Sequence, residues 1–137
     1  MSAEVLVPAD AELAVVTELL SRLPGLGYDV PVGTKIPKSR PAEFVRVYRT
    51  GGVSPDITSD AFQVTVEAYA ERETGAERLC AFALAALQAA GRDGAMGSAT
   101  CRRVETFSVP ANLPDPQVTD RHRYSSLISV VLRRTAA

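Results

Sequence analysis

The sequence contains no tryptophan, only one histidine, two cysteines and no long run of apolar residues. Any Ser-His-Asp or Cys-His catalytic centre would have to use the single histidine, His122. This residue lies between Arg121 and Arg123 in a predicted loop, and we expect it to be an exposed loop residue. The sequence therefore predicts that the chain is not an enzyme.

Metal and cofactor sites have little support in the sequence. Cys80 and Cys101 lie far apart with no second pair of ligands, so a zinc site lacks the ligands it requires. We expect both thiols to be buried and reduced, as in a protein synthesised in the cytoplasm. Glycine-rich phosphate-binding motifs are absent. We expect no metal and no cofactor, and one alternative stays open: a hard cation could bind if the loops with Asp56, Asp60, Asp115 and Asp120 converged.

Charge and hydropathy exclude two further classes of protein. The chain has 15 basic and 16 acidic residues, whereas a dedicated nucleic-acid binder usually has a basic excess that neutralises phosphates. No apolar run approaches the roughly 20 residues that a membrane helix needs. The first residues also lack the pattern of a secretory signal. We expect no membrane association and no specific grip on DNA.

Periodicity in the sequence predicts two helices and four or five strands. The first helix is predicted over Ala11–Arg22, with Asp10 as its N-cap. Its apolar stripe is expected to contain Leu13, Val16, Leu20 and Leu23, widened by Val15 and Leu19. The second helix is predicted over 74–90, opened by a capping box of Thr74 and Glu77. Its stripe is rich in alanine, which favours close packing on a sheet.

Alternation of apolar and polar residues predicts the strands, over 28–35, 44–49, 61–71, 100–109 and 124–133. The first is expected at a sheet edge because it contains Pro31 and Gly33. The last has apolar residues on both faces, which predicts a central strand or one covered by a partner chain. Strands follow one another before and after the second helix. The sequence therefore predicts a single α+β domain over 1–137, with an antiparallel or mixed sheet and both helices on one face.

Two long predicted loops, 50–60 and 110–123, are the candidate functional surfaces. Both exceed the length that a simple hairpin needs, and arginines near their ends suit bidentate pairing with carboxylates across an interface. The residues predicted to form interfaces are Arg46, Arg49, Asp56, Asp60, Asp115, Arg123 and Tyr124.

Several segments in order carry a resemblance to a known family. These are RPAEFVRVYRTGG at 40–52, FQVTVEAYA at 62–70, the alanine-rich helix at 76–87, LPDP at 113–116, and Arg123-Tyr124 before the final strand. Together they resemble the tail terminator proteins of actinobacterial siphoviruses and their prophages. The resemblance covers about residues 10 to 134.

This resemblance implies a structural virion protein. Such proteins are small α+β subunits of a hexameric ring at the tail–neck junction, assembled in the host cytoplasm. The ring caps the major tail tube protein, stops tube polymerisation and joins the head-to-tail connector, while DNA passes through its lumen. The family performs no catalysis, and some relatives respond to divalent cations.

Three alternatives stay open at this point. One is a head-closure or neck adaptor protein of the same virion. Another is a small ligand-binding α+β domain, which would need an apolar pocket between helix and sheet. A third is a small hydrolase, which would depend on His122.

Overall fold

The computed structural model describes residues 3–137 and confirms the predicted α+β class. In this range it has two helices and eight strands arranged in two sheets. The helices are α1 (Ala11–Arg22) and α2 (Glu73–Asp93), and the strands are β1 (Leu6–Val7), β2 (Val32–Gly33), β3 (Glu43–Val53), β4 (Ser59–Ala70), β5 (Ala95–Met96), β6 (Ala99–Asn112), β7 (His122–Arg133) and β8 (Thr135–Ala136).

The main sheet has six strands in the order β2-β3-β4-β7-β6-β5. Its four long strands are antiparallel to their neighbours, and only β2 pairs in parallel, with β3. The sheet exceeds the four to five strands expected because the two-residue strands β2 and β5 extend its edges. Strand β7 lies between β4 and β6 and is central, as its apolar residues on both faces predicted. A separate small sheet pairs β1 with β8.

Both helices pack on one face of the main sheet, as predicted. The shared core joins Leu79, Ala83 and Leu87 of α2 to apolar residues of β4 and β7 such as Val66 and Ile128, all fully buried. Contact is close at the end of α2, where a Cβ added to Gly91 would lie 2.8 Å from Cγ2 of Val104. Small residues on α2 therefore allow the helix to sit directly on the sheet.

Helix α1 has the predicted bounds, and Asp10 caps it by accepting a 3.0 Å hydrogen bond from the Leu13 backbone N–H. The predicted stripe is partly wrong. Leu13 and Leu20 are 60% and 49% exposed, and the buried face is instead Ala11, Ala14, Val15, Leu19 and Leu23. The helix carries apolar residues around most of its circumference, so periodicity alone did not select the face that alanines bring close to the core.

The predicted capping box at the start of α2 is wrong. The helix begins one residue earlier, at Glu73, with Arg72 at the N-cap and no side-chain capping bond. The N–H of Ala76 donates to the carbonyl of Arg72 at 3.0 Å, which places Thr74 inside the first turn. Ala76, at the end of this first turn, is fully buried.

The first predicted long loop, 50–60, is mostly strand. Strand β3 continues to Val53 and β4 starts at Ser59, which leaves the hairpin loop 54–58. Gly51 and Gly52 have φ angles of 141° and 146° beside a bulge in the pairing. A Cβ on Gly52 would lie 2.1 Å from the carbonyl oxygen of Ala61. These glycines act as strand residues at a close backbone approach rather than as turn residues.

The other strand boundaries also shift. Strand β6 continues through Pro110 to Asn112 and β7 begins at His122, so the second loop is 113–121. Pro110 is tolerated because β6 has a free outer edge at this point. The strand predicted over 28–35 is reduced to β2, and it lies at the sheet edge as expected.

Candidate functional site

No helix of residues 3–137 lies on the second face of the main sheet, which holds a network of charged side chains. At its centre is Glu67 of β4, whose side chain is only 2% exposed. Nη1 of Arg123 on β7 donates to Oε2 of Glu67 at 2.8 Å. Nη1 of Arg46 on β3 donates to Oε1 at 3.4 Å, and its guanidinium lies 4.5 Å from the centre of the Tyr48 ring. A buried carboxylate thus faces two arginines from the two neighbouring strands.

Tyr69 and Asp115 extend this network towards the loop 113–121. The Tyr69 hydroxyl lies 3.1 Å from Oε1 of Glu67 and 3.0 Å from Oδ2 of Asp115. Nη1 of Arg123 is 3.7 Å from the same Asp115 oxygen. We refer below to Arg46, Glu67, Tyr69, Asp115 and Arg123 as the ion network.

Two pKa shifts reflect this arrangement. Burial alone would raise the pKa of Asp115. Hydrogen bonds from the Gln117 backbone N–H and the Tyr69 hydroxyl, together with the charges of nearby arginines, outweigh burial and lower this pKa. The pKa of Tyr69 is raised above its usual range, first by burial and then by the negative charge of Glu67. Asp115 is therefore a stable anion and Tyr69 a neutral hydroxyl, which suits a structural role.

The loop 113–121 is held against the sheet. Val118 is 2% exposed and packs with Phe44 and Tyr69, whose rings stack with centres 4.6 Å apart. Asp120 forms an ion pair with Arg40. The guanidinium of Arg121 donates to the carbonyl of Pro41. This loop therefore presents a fixed surface rather than a flexible one.

At the other end of the sheet, Asp60 is held by a residue that sequence reasoning missed. Arg134 donates two hydrogen bonds to its carboxylate, at 2.9 and 2.8 Å, and the Ser54 hydroxyl donates a third at 2.6 Å. Asp56 instead accepts from the backbone and hydroxyl of Thr58 within its own loop. The carboxylate of Asp60 is therefore buried and occupied within the chain, whereas Asp56 is exposed and accepts these bonds through Oδ1 only.

The remaining predicted interface residues lie apart from the ion network. The Arg49 side chain is exposed with its guanidinium 5.9 Å from the Phe62 ring centre, while its backbone N–H donates to Glu12. Tyr124 lies near the start of α2, with its hydroxyl 3.5 Å from Oε1 of Glu73. Of the seven predicted residues, the structure thus brings together Arg46, Asp115 and Arg123.

Glu67, Tyr69 and Arg134 are the participants that the sequence did not indicate. Glu67 and Tyr69 fall on the polar side of the alternation in β4, which suggests exposure to solvent. The only available signal was the pairing of Glu67 with Arg46 on β3 and of Tyr69 with Arg123 on β7, and it requires the strand register to be known.

The two loops do not converge, so the alternative of a cation shared between them loses its basis. The loop 54–58 and the loop 113–121 lie at opposite ends of β4, and Asp60 and Tyr69 are separated by about 30 Å of extended chain. No group of three or more His, Cys, Asp or Glu residues within 3–137 is arranged to hold a metal ion.

Two grooves lie on the outside of the described part of the chain. One of about 430 Å³ runs between α2 and β6 along Gln88, Arg92 and Val104. Another of about 290 Å³ lies beside the start of α1 and β2. Between helices and sheet, alanine and glycine contacts fill the space where a small ligand would have to bind.

We expect the stability of the chain to fall at acidic pH. Hydrogen bonds from Arg134 hold the pKa of Asp60 below its usual value, and the pKa of Asp115 is also lowered. Each therefore stabilises the fold above the unfolded value of about 3.9, and the contribution is lost as pH falls through the lower folded value. Urea unfolding should give constant midpoints from about pH 7 to 5 and lower midpoints below about pH 4. The variant Asp60→Asn should show a weaker acid dependence, and an unchanged dependence would contradict this assignment.

No family model matches the chain, and no curated protein matches it. Among residues 3–137, neither helix has the length and apolar content needed to cross a membrane.

Proposed function

We propose that this chain is a structural virion protein, a tail terminator that forms a ring on the end of a phage tail tube. The ring stops tube polymerisation and provides the surface that joins the head-to-tail connector. DNA passes through its lumen without specific binding. The proposal continues the resemblance of the segments 40–52, 62–70 and 113–116 to that family.

The observation that supports this proposal best is the arrangement of the surfaces. The loops 54–58 and 113–121 lie at opposite ends of the long strands, and the sheet presents two opposite lateral flanks. A ring subunit needs this plan, since it contacts one ring below, another above and a neighbour on either side. The end with the loop 54–58 also carries exposed apolar residues, with Val53 at 71% and Ile57 at 83% exposure.

The alternative of a small ligand-binding domain gains no support. It requires an apolar pocket between helix and sheet, and the fully buried Ala83 and Ala90 together with Gly91 bring α2 directly onto the strands there. A head-closure or neck adaptor would use a similar subunit plan, and the experiment below separates it from a terminator.

Tail tubes assembled from a purified siphovirus major tail tube protein should provide the test. We expect the purified chain to bind one end of the tubes as a ring, visible by electron microscopy, and to stop their elongation. The variant Ile57→Asp should weaken end binding, because it places a charge in an apolar contact. A chain that ignores the tubes and binds the head connector would instead be a neck adaptor.

Arginine variants that test assembly should lie outside the ion network, so that they leave the fold intact. Arg49 is exposed and its alanine variant should leave the fold intact, so it can report on assembly. Arg123 is a poor reporter because its loss would leave the buried Glu67 without its closest partner.

A further inference from the structure

The lateral boundary at β6 has features that suit contact with another chain. From Arg102 to Asn112 its outer backbone edge has no strand partner within the described chain, since β5 pairs only with Ala99 and Thr100. The groove beside it is lined by Gln88, Gly91, Arg92, Arg103 and Val104. We call this groove and the free edge the β6 flank.

The opposite lateral boundary of the sheet, beside α1 and β2, is acidic and apolar and so complements the basic β6 flank. Its groove is lined by Asp10, Glu12, Leu13, Val16, Gly33 and Thr34. Leu13 is 60% exposed, and Leu20 on the same side of α1 is 49% exposed. We call this surface the β2 flank. It combines two acidic residues with exposed apolar side chains.

We propose that the β6 flank of one copy of this chain receives the β2 flank of the next copy. The inference rests on the proposed ring function and identifies the pair of surfaces that builds the ring. It commits to a second copy of the chain as the occupant of both grooves.

Position is the first argument for this pairing. A ring is built from heterologous contacts, in which one patch meets a different patch on the neighbour, and the two patches must lie on opposite sides of the subunit. The β2 flank lies at one end of the strand order, and the β6 flank lies next to the two-residue strand β5 at the other end. Because β3, β4, β7 and β6 alternate in direction, β6 is antiparallel to β3. A second copy, rotated about the ring axis, therefore places its β3 side next to β6 of the first copy, and the strands still alternate in direction across the boundary.

Charge is the second argument. Arg92 and Arg103 are exposed on the β6 flank, whereas Asp10 and Glu12 lie on the β2 flank. Complementary charges of this kind fix the register of an interface and disfavour the wrong pairing of like flanks. The opposing charges near the β6 flank are Glu105, which pairs with Arg103 at 2.9 Å, and Asp93, which pairs with Arg22 at 2.6 Å. Lys35 and Arg49 lie beside the β2 flank. Arg92 and Glu12 are therefore the cleanest pair for a charge exchange.

The test uses the full chain and measures its assembly by light scattering after size exclusion and by sedimentation velocity. Wild-type chain should assemble, and the single variants Arg92→Glu and Glu12→Lys should each need at least about tenfold higher concentration to do so. The double variant should recover to near the wild-type concentration, because each interface again joins opposite charges. A higher salt concentration should weaken assembly of the wild-type chain, because it screens the charges across the interface.

Controls keep folding apart from assembly. Glu71→Lys and Arg133→Glu change exposed charges away from both grooves and should assemble as the wild type does. Circular dichroism and thermal melting should show all variants folded. Glu12→Gln, which keeps an acceptor for the Arg49 N–H, should reduce assembly less than Glu12→Lys.

Two results would overturn the inference in distinguishable ways. If the wild type forms rings on tail tubes and the charge variants do so equally well, other surfaces build the ring and the proposed function stands. If the wild type remains a monomer with and without tubes, both the inference and the proposed function fail.

Discussion

Replacing Glu67 by alanine should destabilise the fold by about 3–5 kcal/mol, because removing one partner of a buried ion pair leaves the other charges uncompensated. The Glu67 side chain is 2% exposed, and those of Arg123 and Arg46 are 18% and 31% exposed. Arg123 therefore contributes most of the loss, while water around Arg46 reduces its share. The change should be measured as the free energy of unfolding in urea.

Two variants provide the comparison for Glu67. Glu67→Gln keeps the shape and the acceptor oxygen and should lose less stability than Glu67→Ala. Glu105→Ala removes an exposed pair with Arg103, whose side chains are 48% and 66% exposed, and should cost less than about 1 kcal/mol. Equal losses for Glu67→Ala and Glu105→Ala would show that the ion network contributes nothing beyond an ordinary surface pair.

A second large effect is expected from adjacent leucines on α1. Leu19 is fully buried and Leu20 is 49% exposed. Leu19→Ala should therefore cost about 2–5 kcal/mol, from lost burial and the cavity left behind. Leu20→Ala should cost less than about 1 kcal/mol, since a surface substitution removes little packing.

The comparison is closely matched because both variants have the same chemistry in the same helix. Chemical unfolding of the two variants at a concentration that keeps the chain monomeric provides the measurement. If Leu20→Ala proved as costly as Leu19→Ala, the buried face of α1 would be the one expected from periodicity, and the orientation of the helix would be wrong.

Local signals in the sequence predict the helices and strands well, but they predict poorly which face of each element is buried and which residues pack against it. The bounds of α1 follow from the Asp10 cap, and strand β4 follows from strict alternation. The buried face of α1 does not follow from the sequence, because Leu13 and Leu20 fit an apolar stripe as well as Leu19 does. The face is decided by where Ala11 and Ala14 allow close approach, which is a property of the packed core.

Glycine and proline misled the boundary predictions for a related reason. Gly51 and Gly52 suggest a turn, yet they continue β3 through a bulge beside Ala61. Pro110 suggests the end of a strand, yet an outer edge tolerates it. Both outcomes depend on which strand lies next to the residue, and sequence periodicity does not contain that information.

The candidate site was predictable only in part. Arg46 on a predicted strand, and Asp115 and Arg123 in a predicted loop, were expected at an interface, and the structure brings these three together. Their partner Glu67 came from the polar side of β4, where alternation suggests solvent. The strand register places Glu67 opposite Arg46 and Tyr69 opposite Arg123, and this register is not contained in the sequence pattern.

The short β1–β8 pairing has a practical consequence for handling this chain. Leu6 lies opposite Ala136, and the Ala137 N–H donates to the carbonyl of Val5 at 2.9 Å. A peptide linker of a few residues could therefore connect Val5 covalently to Ala137, and new ends could be opened elsewhere in the chain. Affinity tags attached beside this pairing would lie near Thr58, whose carbonyl accepts from the Arg134 N–H. Such tags would crowd whatever binds the 54–58 hairpin, so purification handles should be cleaved before binding to tubes is assayed.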